Sequence, residues 1–197
     1  MKLVELEQGS PEWLLWRKNH VTSTDAATIM GENPFCNLHT LWLRKHDQVA
    51  TDPVNAAMLR GSELEPFALK EFIKQTGIEA KPAVGEHDNY SWMGTSLDGI
   101  NEDGTVIVEI KSPMKLNKHL SLLDDNVVID VHYQWQIFHH LEVSGADVCF
   151  FVSYHPDDPD KIIIKEVMPD KRKMEQMVLA EQYFWEKNIL LMEPVEI

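Results

Sequence analysis

Leu97-Asp98-Gly99-Ile100, Asn101-Glu102-Asp103-Gly104 and Thr105-Val106-Ile107-Val108-Glu109-Ile110-Lys111 follow one another without a break and read as two strands joined by a tight turn. Val106, Val108 and Ile110 alternate with Ile107, Glu109 and Lys111, so Glu109 and Lys111 leave the second strand on one side. Asp103-Gly104 is a strong hairpin-turn signal. A two-residue loop at 103–104 sets Asp98 directly opposite Glu109. A four-residue loop at 101–104 sets it opposite Ile107 and diagonal to Glu109. Either even-length loop keeps Asp98 on the face of Glu109 and Lys111; only a three-residue loop breaks the arrangement.

Two neighbouring carboxylates repel unless a proton or a cation lies between them. Their hard oxygens suit Mg²⁺ or Mn²⁺, which activate bound water and neutralise phosphoryl charge. Lys111 would orient or deprotonate the attacking water, or stabilise a developing oxyanion. The backbone carbonyl of Ile110, between the two side chains, is a further candidate ligand. The same residues also describe an exposed strand with an ordinary Glu–Lys face and an acidic turn, and the hairpin alone leaves both readings open.

At 197 residues the chain is expected to form one domain, residues 1–197, with length enough for a core. No apolar run approaches a membrane span and the polar start MKLVELEQGSPEW carries no signal-peptide core, so a cytoplasmic protein is expected. Cys36 and Cys149 have neither metal-ligand spacing nor a disulfide framework. The net charge of −14 argues against passive nucleic-acid binding through a broad basic surface, though not against a narrow metal-loaded cleft.

Around the hairpin, Ser10-Pro11 opens a helix ending near Asn19, with Ser10 as N-cap, and Thr22 to Ala27 starts a second helix stopped by Gly31. Leu38–His46 reads as a third helix and residues 47–56 as a connection. Ser62-Glu63-Leu64-Glu65 reads as a capping box opening a helix that runs to about Gln75. After the hairpin come a loop through Ser112-Pro113, a helix from about Asp130 to Leu141, strands over Asp147–Tyr154 and Lys161–Val167 flanking a turn-rich 155–159, and a last helix from Asp170 to about Leu191. The order amounts to a mixed α/β or α+β architecture.

Glu65 has two readings: it caps its own helix, or it brings a third carboxylate toward the hairpin. Arg17, four residues after Trp13, is accounted for by a cation–π pair, unless the Ser23 and Thr24 hydroxyls and free helix amides make an anion site beside it. Gln134 and Gln136 face differently on their helix. Nine histidines, His132, His139 and His140 among them, show no zinc spacing and read as core or helix-surface residues.

In order along the chain, Gly9-Ser10-Pro11-Glu12-Trp13-x-x-x-Arg17, Val21-Thr22-Ser23-Thr24-Asp25-Ala26-Ala27, Gly61-Ser62-Glu63-Leu64-Glu65, Ser96-Leu97-Asp98-Gly99 with Glu109-Ile110-Lys111-Ser112-Pro113, and Tyr133-Gln134-Trp135-Gln136 resemble the motifs of the phage lambda exonuclease family, the YqaJ-like viral recombinases of the PD-(D/E)XK nuclease superfamily. Leu97 stands where the superfamily has proline. The resemblance implies a restriction-endonuclease-like core, a small mixed central sheet flanked by helices. It also implies a 5′→3′ exonuclease that degrades one strand of linear double-stranded DNA to mononucleotides and leaves a 3′ overhang for annealing recombination. Asp98, Glu109 and the Ile110 carbonyl would bind Mg²⁺, with Mn²⁺ as substitute, and Glu65 would complete a two-ion site. Lys111 would position or deprotonate water, with help from Gln134. Arg17 with Thr24 would hold the 5′-phosphate, and Met58 or Leu59 would wedge apart the terminal base pair. A ring-shaped homotrimer, a single-strand annealing partner and a bacterial or prophage origin are further implications. An endonuclease or repair nuclease of the same superfamily and a non-catalytic acidic binding module are the competing readings.

Overall fold

The computed structural model describes residues 1–49, 55–124, 126–158 and 162–195. Residues 50–54 of the expected connection, Pro159 of the expected turn and Lys161 at the expected strand start lie outside them. The hairpin forms from β4 (Met93–Ile100) and β5 (Val106–Lys111). Asn101 closes it: its N–H donates to Val106 O at 3.0 Å and its Oδ1 accepts from Val106 N at 2.9 Å. The loop is therefore 102–105, one residue later than the four-residue reading, and it keeps the register of the two-residue reading. Gly99 pairs Val108 and Ile100 pairs Ile107, so continuing the register sets Asp98 opposite Glu109.

Beyond Gly99 the two strands part. Asp98 Oδ2 takes the Ile110 N–H at 2.7 Å, so a carboxylate stands where a backbone carbonyl would otherwise continue the ladder. On its other edge β4 pairs β3 (Lys81–Glu86), where Ala83 faces Leu97 but Lys81 faces Ile100. Asp98 and Gly99 thus oppose the single residue Pro82, a β-bulge. Proline has no N–H to offer a ladder, which suits it to that place.

β6 (Val148–Ser153) adds parallel to β5, and β7 (Ile163–Val167) antiparallel to β6. β1 (Lys2–Leu3) pairs β3, and β2 (Val21–Thr22) pairs β4 in parallel. The described strands make one seven-stranded mixed sheet, larger than the small sheet expected. Gly94 pairs both Glu86 of β3 and Thr22 of β2, while Ile100 pairs both Lys81 of β3 and Ile107 of β5. β2 and β5 therefore share one edge of β4 in tandem, and Asp98 lies in the fork between them.

On one side of the sheet Leu97, Ile100, Ile107 and Phe151 pack with Ile137 and Leu141 of α6 (Val131–Ser144), Ala26 of α2 (Ser23–Ile29) and Met174 and Met177 of α7 (Lys171–Tyr183). On the other, Val108, Ile110 and Val152 pack with Ala68, Leu69 and Phe72 of α4 (Ala56–Thr76). Both faces of β5 are covered, as a central strand requires. α1 (Pro11–Lys18) is capped by Ser10, whose Oγ accepts from Trp13 N at 3.1 Å. α3 is Leu38–Lys45. The expected last helix closes as a π-helical segment, Phe184–Leu190, and a short α5, Leu116–Ser121, occupies ground expected to be loop.

The expected capping box is overturned. α4 begins at Ala56, where Asn55 Oδ1 accepts from Met58 N at 3.0 Å, so Ser62 and Glu65 lie in mid-helix. Asparagine is as good an N-cap as serine, and the apolar Ala56, Ala57, Met58 and Leu59 continue the helix without a breaker. Glu65 is released from capping and its helix turns it toward the hairpin.

Candidate active site

Glu109 is 1% exposed, a buried carboxylate in the middle of the sheet. It survives there because each oxygen has a partner: Oε1 pairs with the Lys111 ammonium and Oε2 lies 3.0 Å from His140 Nε2. Burial alone would raise its pKa, but Lys111 and His140 outweigh burial and hold it at about 2. Burial works against the Lys111 charge as well, and the Glu109 and Asp98 carboxylates overcome it and push the ammonium pKa up. Asp98 behaves in the opposite way. Burial, then the charges of Glu109 and Glu65, push its pKa well above the carboxylate range, against Lys111 and the Ile110 N–H. Glu65 is raised too, by burial and by the Glu109 charge, with Lys111 opposing. Three carboxylates and one lysine thus share a single electrostatic neighbourhood.

The Lys111 Nζ sits 5.0 Å from the centre of the Tyr133 ring, so the first turn of α6 roofs the lysine. His140, two turns on, is fixed from behind by a contact between its Nδ1 and Thr95 Oγ1. Burial lowers the His140 pKa against the pull of Glu109, which favours the neutral ring. The sequence reading placed His140 among ordinary core histidines and gave Thr95 no role. No spacing rule signals a histidine that reaches a strand thirty residues earlier. The bulge at Asp98–Gly99 shifts the alternation: Leu97 before it and Ile100 after it both join the α6-side core although they are three residues apart, which strict alternation forbids.

Gln134 is elsewhere: its Nε2 donates to Ile129 O at 2.6 Å, bracing the start of α6, and the neighbouring Tyr133 is what meets Lys111. Arg17 stacks 4.5 Å from the Trp13 ring, the cation–π pair of the first reading, and donates from Nη2 to Thr24 Oγ1 at 2.8 Å. Burial lowers the Arg17 pKa while Asp25 opposes that shift. Asp25 is itself neutralised by Lys45 Nζ at 2.8 Å. Thr24 is exposed, but Ser23 is only 4% exposed and turns inward. Trp13 Nε1 donates to Ser96 Oγ at 2.8 Å, tying α1 to β4 two residues from Asp98. Thr22 pairs Gly94, four residues from Asp98, so the Thr24 end of α2 starts roughly 13 Å along the strand from the carboxylates. Met58 and Leu59 stand about half exposed in the first turn of α4.

The donor set of Asp98, Glu109 and Glu65 is all oxygen, and the mutual repulsion that raises Asp98 and Glu65 is of the kind a divalent cation relieves. The Ile110 carbonyl belongs with them. Lys111 O accepts from Tyr154 N at 3.0 Å on the β6 side, and Ile110 N donates to Asp98 on the β4 side, so the Ile110 carbonyl also faces β4. Among the described residues no three His, Cys, Asp or Glu side chains are already converged on one point, since Lys111 holds Glu109 instead. The residues fit a hard cation in chemistry, with Lys111 as the stand-in charge.

Residues 12–147 match the YqaJ-like viral recombinase domain. The chain belongs to that family. It is 27% identical over 187 residues to the uncharacterized protein YqaJ of Bacillus subtilis, covering 93% of this chain and 58% of that one. It is 24% identical over 170 residues to the uncharacterized protein R354 of Acanthamoeba polyphaga mimivirus, 81% of this chain and 31% of that one. The chain therefore spans little more than half of one curated relative and a third of the other. Among solved structures it resembles the alkaline exonuclease LHK-Exo of Laribacter hongkongensis, at 26% identity and a TM-score of 0.73 over 90% of this chain and 92% of that one. LHK-Exo in complex with dAMP gives 0.74 over 93% and 96%. A phage-related exonuclease of Haemophilus somnus, 14% identical with a TM-score of 0.64, shares the fold. The restriction-endonuclease-like core expected from the motifs is thereby borne out as a nuclease fold. No described helix is long and apolar enough to cross a membrane.

Proposed function

We propose that this YqaJ-family domain is a Mg²⁺-dependent 5′→3′ exonuclease that digests one strand of linear double-stranded DNA. The observation that carries the reading is the fork of β4, where Asp98, Glu109 and Lys111 meet on one face with Glu65 added from α4. The likeness to the alkaline exonuclease LHK-Exo, one structure of which holds dAMP, supports it.

Asp98, Glu109, the Ile110 carbonyl and Glu65 would hold the cation. When bound it would lower the pKa of a water and neutralise phosphoryl charge. Burial and the Glu109 charge raise the pKa values of Asp98 and Glu65, and a bound cation would oppose both effects. Lys111, carrying its proton, supplies positive charge and a hydrogen-bond donor to the phosphoryl oxygens. Tyr133 keeps water from one side of that ammonium. Hydrolysis forms a bond from water oxygen to phosphorus and breaks the bond to O3′ of the first nucleotide. That oxygen leaves with a proton, and the new 5′-phosphate stays on the shortened strand. Arg17, which is hydrogen-bonded to Thr24, would hold such a phosphate with it.

The test is digestion with Mg²⁺ of linear duplexes that differ only in a 5′-phosphate or 5′-hydroxyl, beside a closed circle. The reading expects loss of the phosphorylated linear duplex, survival of the circle, and no digestion in a chelator. Cleavage of the circle would move the protein to the endonucleases. Intact linear duplex under all conditions would leave the acidic binding module. The homotrimeric ring and the single-strand annealing partner are proposals supported by the family resemblance, and sedimentation of the purified protein reads the first of them.

A further inference from the structure

Phe35 is 80% exposed, in the turn between α2 and α3. A lone exposed aromatic is ordinary, but this one is built in place. Its N–H donates to Asn33 Oδ1 at 2.9 Å, and Asn33 Nδ2 donates to Thr28 Oγ1 at 2.8 Å. Pro34 stiffens the chain between them, and Asn37 Oδ1 caps α3 through Thr40 N at 2.8 Å. The ring is held edge-on to His132, 5.7 Å between centres at 89°. His132 in turn lies 4.0 Å from the Tyr133 ring, and Tyr133 carries the Lys111 ammonium. A run of aromatic rings therefore leads from the catalytic lysine out to solvent. Within it His132 Nε2 has no hydrogen-bond partner among the described residues.

We propose that Phe35, propped edge-on by His132, forms a stacking platform for a nucleobase of the DNA held at the nuclease site. The proposal rests on the nuclease reading, because the Lys111 end of the run is where a phosphate belongs and a base must lie within one nucleotide of it. Aromatic faces hold bases whatever their identity, as an enzyme that removes every nucleotide in turn requires. A ring fixed before binding loses little freedom when a base arrives. The base belongs either to the digested strand or to its complement, and the chemistry of stacking is common to both.

The experiment uses linear 5′-phosphorylated duplex carrying 2-aminopurine at the 5′-terminal position of the digested strand or at the paired position of the complement, with Ca²⁺ in place of Mg²⁺. Wild-type protein is expected to quench one of the two probes. Phe35→Ala should restore that fluorescence and weaken binding about 5- to 150-fold, the range of one lost stacking contact, while Phe35→Trp retains both. The exposed ring contributes little to folding, so an unchanged thermal midpoint is expected for Phe35→Ala. Binding and fluorescence of Phe35→Ala that match wild type with both probes would overturn the platform. Loss of linear duplex with Mg²⁺ is read separately: its absence sinks the nuclease reading, and the quenching arm still decides the platform.

Discussion

At the scale of single residues, the site separates groups that charge readily from groups that resist it. Glu109 is held ionised by Lys111 and His140, whereas Asp98 and Glu65 are held toward their neutral forms by burial and by Glu109. Asp98→Ala is expected to abolish cleavage at saturating Mg²⁺, and Lys111→Ala to reduce it by at least about 100-fold, the scale of one lost electrostatic stabiliser. Single-turnover digestion checks both. His140→Ala should act more gradually. It leaves Glu109 Oε2 buried without its partner, at a cost of about 1–3 kcal/mol in a urea melt. A raised Mg²⁺ requirement should accompany that loss, and His140→Asn, which keeps a donor, should recover part of it. Equal Mg²⁺ dependence in all three proteins would argue against the contact.

Elements carry the second scale. α1 is held to β4 by Trp13 on Ser96 and by the close approach of Trp16 to Gly94. A methyl at Gly94 would lie 2.5 Å from Trp16 Cη2, and the stiff indole cannot yield without moving the helix. Gly94→Ala is expected to cost about 1–3 kcal/mol, read as a fall in thermal midpoint. Because Arg17 rides on the same helix, the variant should also lose preference for 5′-phosphate over 5′-hydroxyl ends. Arg17→Ala should lose that preference without the fall in midpoint, and comparing the two separates the helix from the side chain. α4 teaches a different lesson. Its start was misread because Ser62-x-x-Glu65 fits a local capping rule, and Asn55 fits one equally well seven residues earlier. Local rules rank both sites without choosing; in the added turns Arg60 Nη1 donates to Ser112 O and Pro113 O, each at 2.8 Å, which ties the longer helix to the chain after β5.

Across the whole molecule, the helical layer of α6 and α7 is pinned to the sheet by a fully buried pair. His139 Nδ1 meets Glu181 Oε1 at 2.9 Å and His139 Nε2 meets Gly94 O at 3.0 Å. Burial lowers the His139 pKa, but Glu181 and the Gly94 carbonyl reverse that and leave it raised; burial with the Asp25 charge raises Glu181. Both directions mean that the folded protein binds more protons here than the unfolded chain. A raised histidine gives stability that is complete below its ordinary 6.5 and is lost as pH rises through the folded value. Wild type should therefore lose its stability advantage over His139→Gln as pH rises from about 6.5 through the folded value of His139, measured as the difference of urea midpoints. A difference that stays constant across that range would show His139 to be neutral in the fold.

Taken alone, the sequence determined the hairpin and the company of Asp98, Glu109 and Lys111 on one face, because strand alternation and turn parity are local geometry. The N-cap at Ser10 was legible for the same reason. Tertiary structure alone decided the bulge at Asp98–Gly99, the fork that β2 and β5 make on β4, and the arrival of His140 and Tyr133 over Glu109 and Lys111. These depend on which residue of a distant strand or helix lies opposite. That choice is made by the burial of whole faces, and no run of neighbouring residues encodes it.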